Sequence, residues 1–181
     1  MAAPFTRLQT PRLDLRPLEG ADGPAMHRYL SDAEVTRWLP EGVLDEAGVQ
    51  VFIRAHKRPS AMAVAVVERE TGQLVGHMNF HRWFQPATHE VGWTIAPDRQ
   101  GRGYATEAAA ALIAFAFGPL ACHRVIATCQ PQNTASWRVM EKLGMRREAH
   151  FRQALHRGGG VWWDEYFYAL LAEEYASSGQ G

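Results

Sequence analysis

The chain has 181 residues, enough for one domain with a real core and too few for two full ones. Nineteen Lys and Arg balance nineteen Asp and Glu, so no overall field draws it to nucleic acid or to an anionic membrane, and affinity for an anion has to come from a local site. No apolar stretch reaches membrane length and no charged-then-apolar leader follows Met1, so a reduced cytoplasmic setting is expected. Cys122 and Cys129 bracket a strand-like run that would hold them about 23 Å apart at about 3.3 Å per residue, too far for a disulfide.

In chain order, Leu13 and Leu15 alternate with charged neighbours over Arg12 to Arg16 and predict a half-buried strand closed by Pro17. Asp22 and Pro24 open a helix that runs to Leu30, and a second helix is expected from about Leu44 to Ala55, with the basic run Arg54 to Arg58 as its solvated end. Three strands follow, Ala61 to Glu68, Leu74 to His81 and His89 to Ile95, joined as two hairpins. The loop Arg99 to Gly103 leads into a helix from Tyr104 to Phe117, stopped by Gly118-Pro119. That helix has few polar residues beyond Thr106 and Glu107 and should be covered on more than one side. A strand at Arg124 to Thr128, a helix from about Thr134 to Leu143 stopped by Gly144, and strands at Met145 to Phe151 and Trp162 to Leu171 complete a single domain of residues 1–176. Ser177 to Gly181 reads as a disordered tail.

The order strand, then Gln100-Gly101-Arg102-Gly103-Tyr104-Ala105, then helix carries the chemistry. Glycines let consecutive amides converge, and the helix start adds its own unpaired amides and the positive end of its dipole. Such a pocket suits a pyrophosphate, with Arg99 and Arg102 in reach for charge-assisted contacts. A nucleotide-hydrolase loop would end in Gly-Lys-Ser or Gly-Lys-Thr, whereas this one ends in Gly-Tyr-Ala. A dinucleotide fold would want a third glycine where Thr106 stands and an acidic residue where Thr128 and Cys129 stand.

With Gln100, Gly103 and Ala105 in place, the loop resembles the Gln/Arg-x-x-Gly-x-Gly/Ala signature of the GNAT superfamily of N-acetyltransferases. Asn133-Thr134-Ala135-Ser136 and Glu141-Lys142-Leu143-Gly144-Met145 resemble that family's second motif, while Leu13-Asp14-Leu15-Arg16 and Tyr168-Ala169-Leu170 are similar to its ribosomal-protein-alanine branch. The resemblance implies an α/β (α+β) fold: a mixed, mostly antiparallel sheet of about seven strands with a splayed central pair and helices on both faces. It implies acetyl-CoA as co-substrate, no metal, and direct attack of an amine on the thioester. The pantetheine arm would lie along the backbone of Trp93, Thr94 and Ile95, the pyrophosphate on Gln100 to Ala105, and Asn133 and Ser136 beside the arm.

By the same resemblance Glu90 is the candidate base that frees the amine of its proton, and Ser136 is the candidate acid near the sulfur. Many members carry a tyrosine where this chain has Met140, and the ribosomal-protein branch carries a glutamate where it has Leu155. Trp38, Trp83, Phe84, Trp162 and Trp163 fall in segments that border the acceptor cleft in the family, so Trp38, Trp83, Glu90 and Trp163 are expected to bind the acceptor. The same rings suit a core or a homodimer surface equally well. His77, Asn79 and His81 on one strand face, with His89 across the hairpin, suggest a metal site only weakly, because no carboxylate or Cys joins them at ligand spacing. Three functions follow: an acetyltransferase acting on a small amine or a protein N-terminus, a non-catalytic acetyl-CoA sensor kept open by Met140 and Leu155, and an antibiotic-modifying enzyme, which the neutral composition disfavours.

Overall fold

Runs such as AMAVAVVE at Ala61–Glu68 are apolar on both sides, as a strand must be when helices cover both faces of its sheet. The computed structural model describes residues 5–58 and 61–179 and shows this arrangement. Nine strands form one sheet in the order β1-β2-β4-β5-β6-β7-β9-β8, with β3 paired to β4. They are β1 (Leu8–Gln9), β2 (Leu13–Pro17), β3 (Lys57–Arg58), β4 (Ala61–Glu68), β5 (Leu74–Arg82), β6 (Thr88–Ile95), β7 (Arg124–Cys129), β8 (Arg146–His156) and β9 (Trp162–Leu171). The helices are α1 (Gly23–Leu30), α2 (Ala33–Thr36), α3 (Glu46–Ala55), α4 (Tyr104–Phe117), α5 (Thr134–Lys142) and α6 (Ala172–Ser177). Among the described residues no helix is long and apolar enough to cross a membrane.

All seven predicted strands are present; the other two, β1 and β3, are two-residue strands too short to leave a period in the sequence. Every pairing is antiparallel except β6 with β7, which is parallel. The basic run expected to be a solvated helix end splits instead. α3 stops at Ala55, where His56 Nδ1 meets the Phe52 carbonyl at 2.8 Å, and Lys57–Arg58 pairs with β4. Ser177, expected in a disordered tail, closes α6, and the Ser178 amide donates to the Glu174 carbonyl at 3.1 Å; Gln180 and Gly181 lie outside the described residues. Cys122 and Cys129 are both free thiols and buried.

Period-two alternation divides the sheet's side chains between two cores. Val64, Val66, Met78, Phe80, Val91, Val125 and Ala127 face α4 and α5. Ala63 and Ala65 face α1 and α3, where Met26, Tyr29, Phe52 and Ile53 close a second core. Helix α4 buries one broad face, where Ala108, Ala109, Leu112, Ile113 and Ala116 are each no more than 1% exposed, while Ala110 and Ala114 opposite are exposed. Cover on more than one side, expected from its composition, is not what the sheet provides, because the many alanines make even its outer face apolar in sequence. Burying Leu112 and Ile113 contributes about 2–3 kcal/mol each. The first turn of α4 is tied to the β1–β2 hairpin through Glu107, which accepts from Thr10 Oγ1 at 2.6 Å, the Arg12 amide at 3.0 Å and Arg12 Nε at 2.7 Å.

Candidate active site

The site begins where two strands part. β6 and β7 stay in register only from Thr88 to Glu90 against Arg124 to Ile126, and β6 then runs on to Ile95 with no strand on that side. Which backbone groups face the opening follows from parity. The Trp83 amide donates to the Thr88 carbonyl and the Ala96 amide to the Val75 carbonyl, both at 2.9 Å, so even-numbered residues of β6 bond to β5 and odd-numbered ones turn away. Trp93 and Ile95 therefore present their backbone to the gap, while Thr94 is engaged with His77 on β5 and turns only its side chain toward the neighbouring space. Gln100 Nε2 already donates to the Ile95 carbonyl at 3.0 Å, fastening the loop to the strand end.

The loop itself turns on Gly101 at φ +74° and Gly103 at φ +81°, backbone that a side chain would strain. Among the described residues, none of the amides from Gly101 to Thr106 has an acceptor within the protein. Six donors at the positive end of a fourteen-residue helix make a built anion cradle. Its scaffold is buried polar chemistry: Glu68 on β4 accepts from the Tyr104 hydroxyl, from Thr71 Oγ1 at 2.7 Å and from Arg99 Nη1 at 3.0 Å. The Tyr104 hydrogen bond, followed by that of Thr71, holds the Glu68 carboxyl below the usual range, and the same bond to Glu68 pushes the Tyr104 phenol up. Tyr104 thus contributes its amide to the cradle and its ring to the support beneath, where the Arg12 guanidinium lies 4.9 Å from the ring centre.

Arg99 is matched by Glu68 and Asp98 and braces the loop, and Arg102 turns outward to the Asp98 carbonyl at 3.3 Å. Among the described residues, the cations that line the groove without such partners are Arg138 and Lys142, spaced i, i+4 on α5. This groove, about 520 Å³, runs past Ile95, Gln100, Gly103 and Ala105 to Asn133 and Ser136. Asn133 caps α5 by accepting the Ser136 amide at 3.3 Å.

A second cavity of the same size, about 520 Å³, opens on the α1–α3 face of the sheet, and the two share Trp38, Leu39, Trp93, Thr94, Asn133 and Ser136. Glu90 lines it, facing His81 Nε2 at 3.1 Å and the Thr128 hydroxyl at 3.5 Å. Glu165 on β9 lines it from the opposite strand; burial pushes its carboxyl up, and the nearby Glu90 charge adds to the rise. Met140, which is 1% exposed, and Leu155 supply apolar wall.

The expected residues do not all converge. Trp38 lines both cavities, and Trp163 stands behind it with ring centres 5.5 Å apart, itself covered by the Arg157 guanidinium at 4.8 Å. Trp83 lines neither cavity and packs on Phe84 and Phe167 beyond the far end of β5, at 5.2 and 6.4 Å; Phe84 is 82% exposed. The four polar residues of the hairpin also separate. His77 is buried against Tyr29 Oη at 3.0 Å, Asn79 and His81 line the second cavity, and His89 points to the opposite face, stacked on Phe80 and 3.0 Å from Cys122 Sγ. Among the described residues no cluster of three or more His, Cys, Asp and Glu is spaced to hold a metal.

Sequence reasoning missed Glu165, Thr128, Arg138 and Lys142. A signal for the first was present: in Trp163-Asp164-Glu165-Tyr166-Phe167 the alternation places Trp163, Glu165 and Phe167 on one strand face.

Residues 12–146 match the model of the acetyltransferase (GNAT) domain. The uncharacterized N-acetyltransferase YnaD of Bacillus subtilis is 42% identical over 93% of this chain and 98% of its own. The crystal structure of a GNAT-family acetyltransferase from Bacillus anthracis superposes with a TM-score of 0.88 at 43% identity, covering 93% of this chain and all of the other. The [ribosomal protein uS5]-alanine N-acetyltransferase of Escherichia coli is 25% identical over 95% of this chain and 94% of its own. A parted parallel strand pair, an anion cradle at the head of α4 and a domain match over most of the sequence agree, and the chain belongs to the GNAT family of acetyltransferases.

Proposed function

We propose that the protein transfers an acetyl group from acetyl-CoA to a primary amine by direct attack. The observation that carries this reading is the meeting of two cavities at Trp93, Asn133 and Ser136: one ends in unpaired amides suited to a pyrophosphate, and the other holds a carboxylate, Glu90. The amides of Gly101 to Thr106, with Arg138 and Lys142, would hold the phosphates. The pantetheine arm would lie along Trp93 and Ile95, using the β6 edge that β7 leaves unpaired.

The acceptor arrives as an ammonium ion and loses a proton to Glu90, directly or through one water. The freed nitrogen attacks the thioester carbonyl carbon. A gap-facing β6 amide polarises the developing oxyanion, and collapse breaks the carbon–sulfur bond as the nitrogen gives up its second proton to solvent. Ser136, which lines both cavities, would donate a proton to the leaving sulfur, or hydrogen-bond it while solvent does so. Trp38 forms a shared wall that guides the amine toward the thioester.

Mixing the protein with acetyl-CoA and an amine panel of N-terminal peptides, polyamines and amino acids should release free coenzyme A thiol. Tight coenzyme binding without thiol release on any acceptor would favour a sensor, the reading that apolar Met140 and Leu155 in the second cavity support. Unchanged turnover in Ser136→Ala would remove Ser136 from the mechanism.

A further inference from the structure

The second cavity has an unusual wall. Its hydrogen-bonding groups outside the Asn133–Ser136 corner include two carboxylates, Glu90 and Glu165, on either side of the Thr128 hydroxyl. On the neighbouring strand Asn79 pairs with Gly92, a residue with no side chain to fill the space beside it. Among the described residues, Asn79 Oδ1 is the buried side-chain oxygen or nitrogen without a hydrogen-bond partner. An unpaired buried acceptor costs about 1–3 kcal/mol, a cost that a bound donor would recover.

The cavity's basic groups are already occupied. His81 faces Glu90 at 3.1 Å, and His56 Nδ1 meets the Phe52 carbonyl at 2.8 Å. Arg157 donates to the Arg37 carbonyl at 2.7 Å and the Leu39 carbonyl at 3.4 Å, bridging β8 to the end of α2. Leu155, paired with Trp163 two residues before Glu165, offers neither charge nor hydrogen bond. An acceptor's carboxylate would therefore meet two carboxyl groups and an amide oxygen, while the guanidinium of Arg157 is already held by two backbone carbonyls. A second N–H group on the acceptor would find Glu165 and Asn79 both waiting as acceptors.

We propose that this cavity selects an amine whose far end carries an N–H donor rather than a carboxylate, with Glu165 and Asn79 as the specificity-determining residues. The inference rests on the acetyltransferase reading for the position of the reacting amine; Glu90 serves that amine and Glu165 its far end. Glu165 is the stronger determinant because it repels the wrong acceptor as well as attracting the right one.

The test is calorimetry on the full chain saturated with coenzyme A, titrated with β-alaninamide and with β-alanine, which have nearly the same shape and differ in a terminal amide against a carboxylate. The amide should bind at least about 10-fold more tightly, the equivalent of about 1.4 kcal/mol. Glu165→Gln, which removes the like charge, should shrink that ratio to about 2-fold or less. Asn79→Ala should weaken the amide while leaving β-alanine unchanged, and it removes no hydrogen bond from the fold. Equal affinities in the unaltered protein, a ratio that survives both substitutions, or absence of heat with either ligand would overturn the proposal. The preceding coenzyme A titration reports separately on the acetyl-CoA reading, so failure of one is distinguishable from failure of the other.

Discussion

The groove proposed for coenzyme A and the cavity proposed for the acceptor meet at the same residues yet are built by different means. The groove is made largely of backbone: six consecutive amides, two glycines in left-handed conformation and an exposed strand edge, all between Trp93 and Thr106. The cavity proposed for the acceptor is made largely of side chains from β5, β6, β7, β8, β9, α5 and the segment after α2, spanning Trp38 to Glu165. A site made of amides tolerates most side-chain changes and fails when the backbone path changes. A site made of side chains can change its ligand with a single substitution and keep its fold.

The largest expected effect breaks chemistry and leaves the groove intact. Glu90→Gln should lower the turnover of the best amine by about a hundred- to ten-thousand-fold, the range for loss of a general base, while coenzyme A affinity by calorimetry stays the same. Conversely, Gly103→Val should weaken coenzyme A on the order of 50-fold, because holding a β-branched residue at φ +81° costs about 2–3 kcal/mol. Unaltered affinity in that variant would mean that the cradle does not depend on this turn.

One strand face joins the two regions to the core and gives the third prediction. His77, on the same face as Asn79 and His81, is buried beneath α1 and α3 instead of lining the cavity, and burial pushes its pKa down to about 3. The native state holds this imidazole neutral while the unfolded chain protonates it at about 6.5, so unfolding takes up a proton between those values. Stability is therefore fully present above about pH 6.5 and is lost as the pH falls, by about 2 kcal/mol at pH 5. Urea midpoints at pH 7 and pH 5 should show that loss, and His77→Gln, which keeps a partner for the Tyr29 hydroxyl, should reduce it. Finally, replacing both Arg138 and Lys142 by Ala should weaken coenzyme A about 10-fold at low salt and progressively less as salt rises, since exposed charges are screened.

Much of the fold was legible because its signals are local. Helix Tyr104–Phe117 and strands Ala61–Glu68 and Trp162–Leu171 fall where their apolar periods and stop residues put them. The two-residue strands Leu8–Gln9 and Lys57–Arg58 left no such signal, since a pair of residues has no period and exists only because a neighbouring strand supplies its hydrogen bonds. The cradle was legible for the same reason as the long elements: Gly101 and Gly103 sit next to the helix they introduce.

The acceptor wall was not legible. Trp83 and Trp163 are equivalent aromatics in the sequence, yet the first packs on Phe167 past the end of its strand and the second backs Trp38 beside the cavity. His89 looked like a neighbour of His81, but strand alternation turned it to the other face, against Phe80. Glu165 became a partner of Glu90 only once β9 was laid beside β7, bringing together residues seventy-five positions apart around Thr128. Local backbone preferences are written in consecutive residues, so the sequence by itself determined the family, the elements and the phosphate turn. Proximity between distant side chains is set by strand order and register, so only the tertiary structure decided which carboxylates, rings and orphaned acceptors line the second cavity.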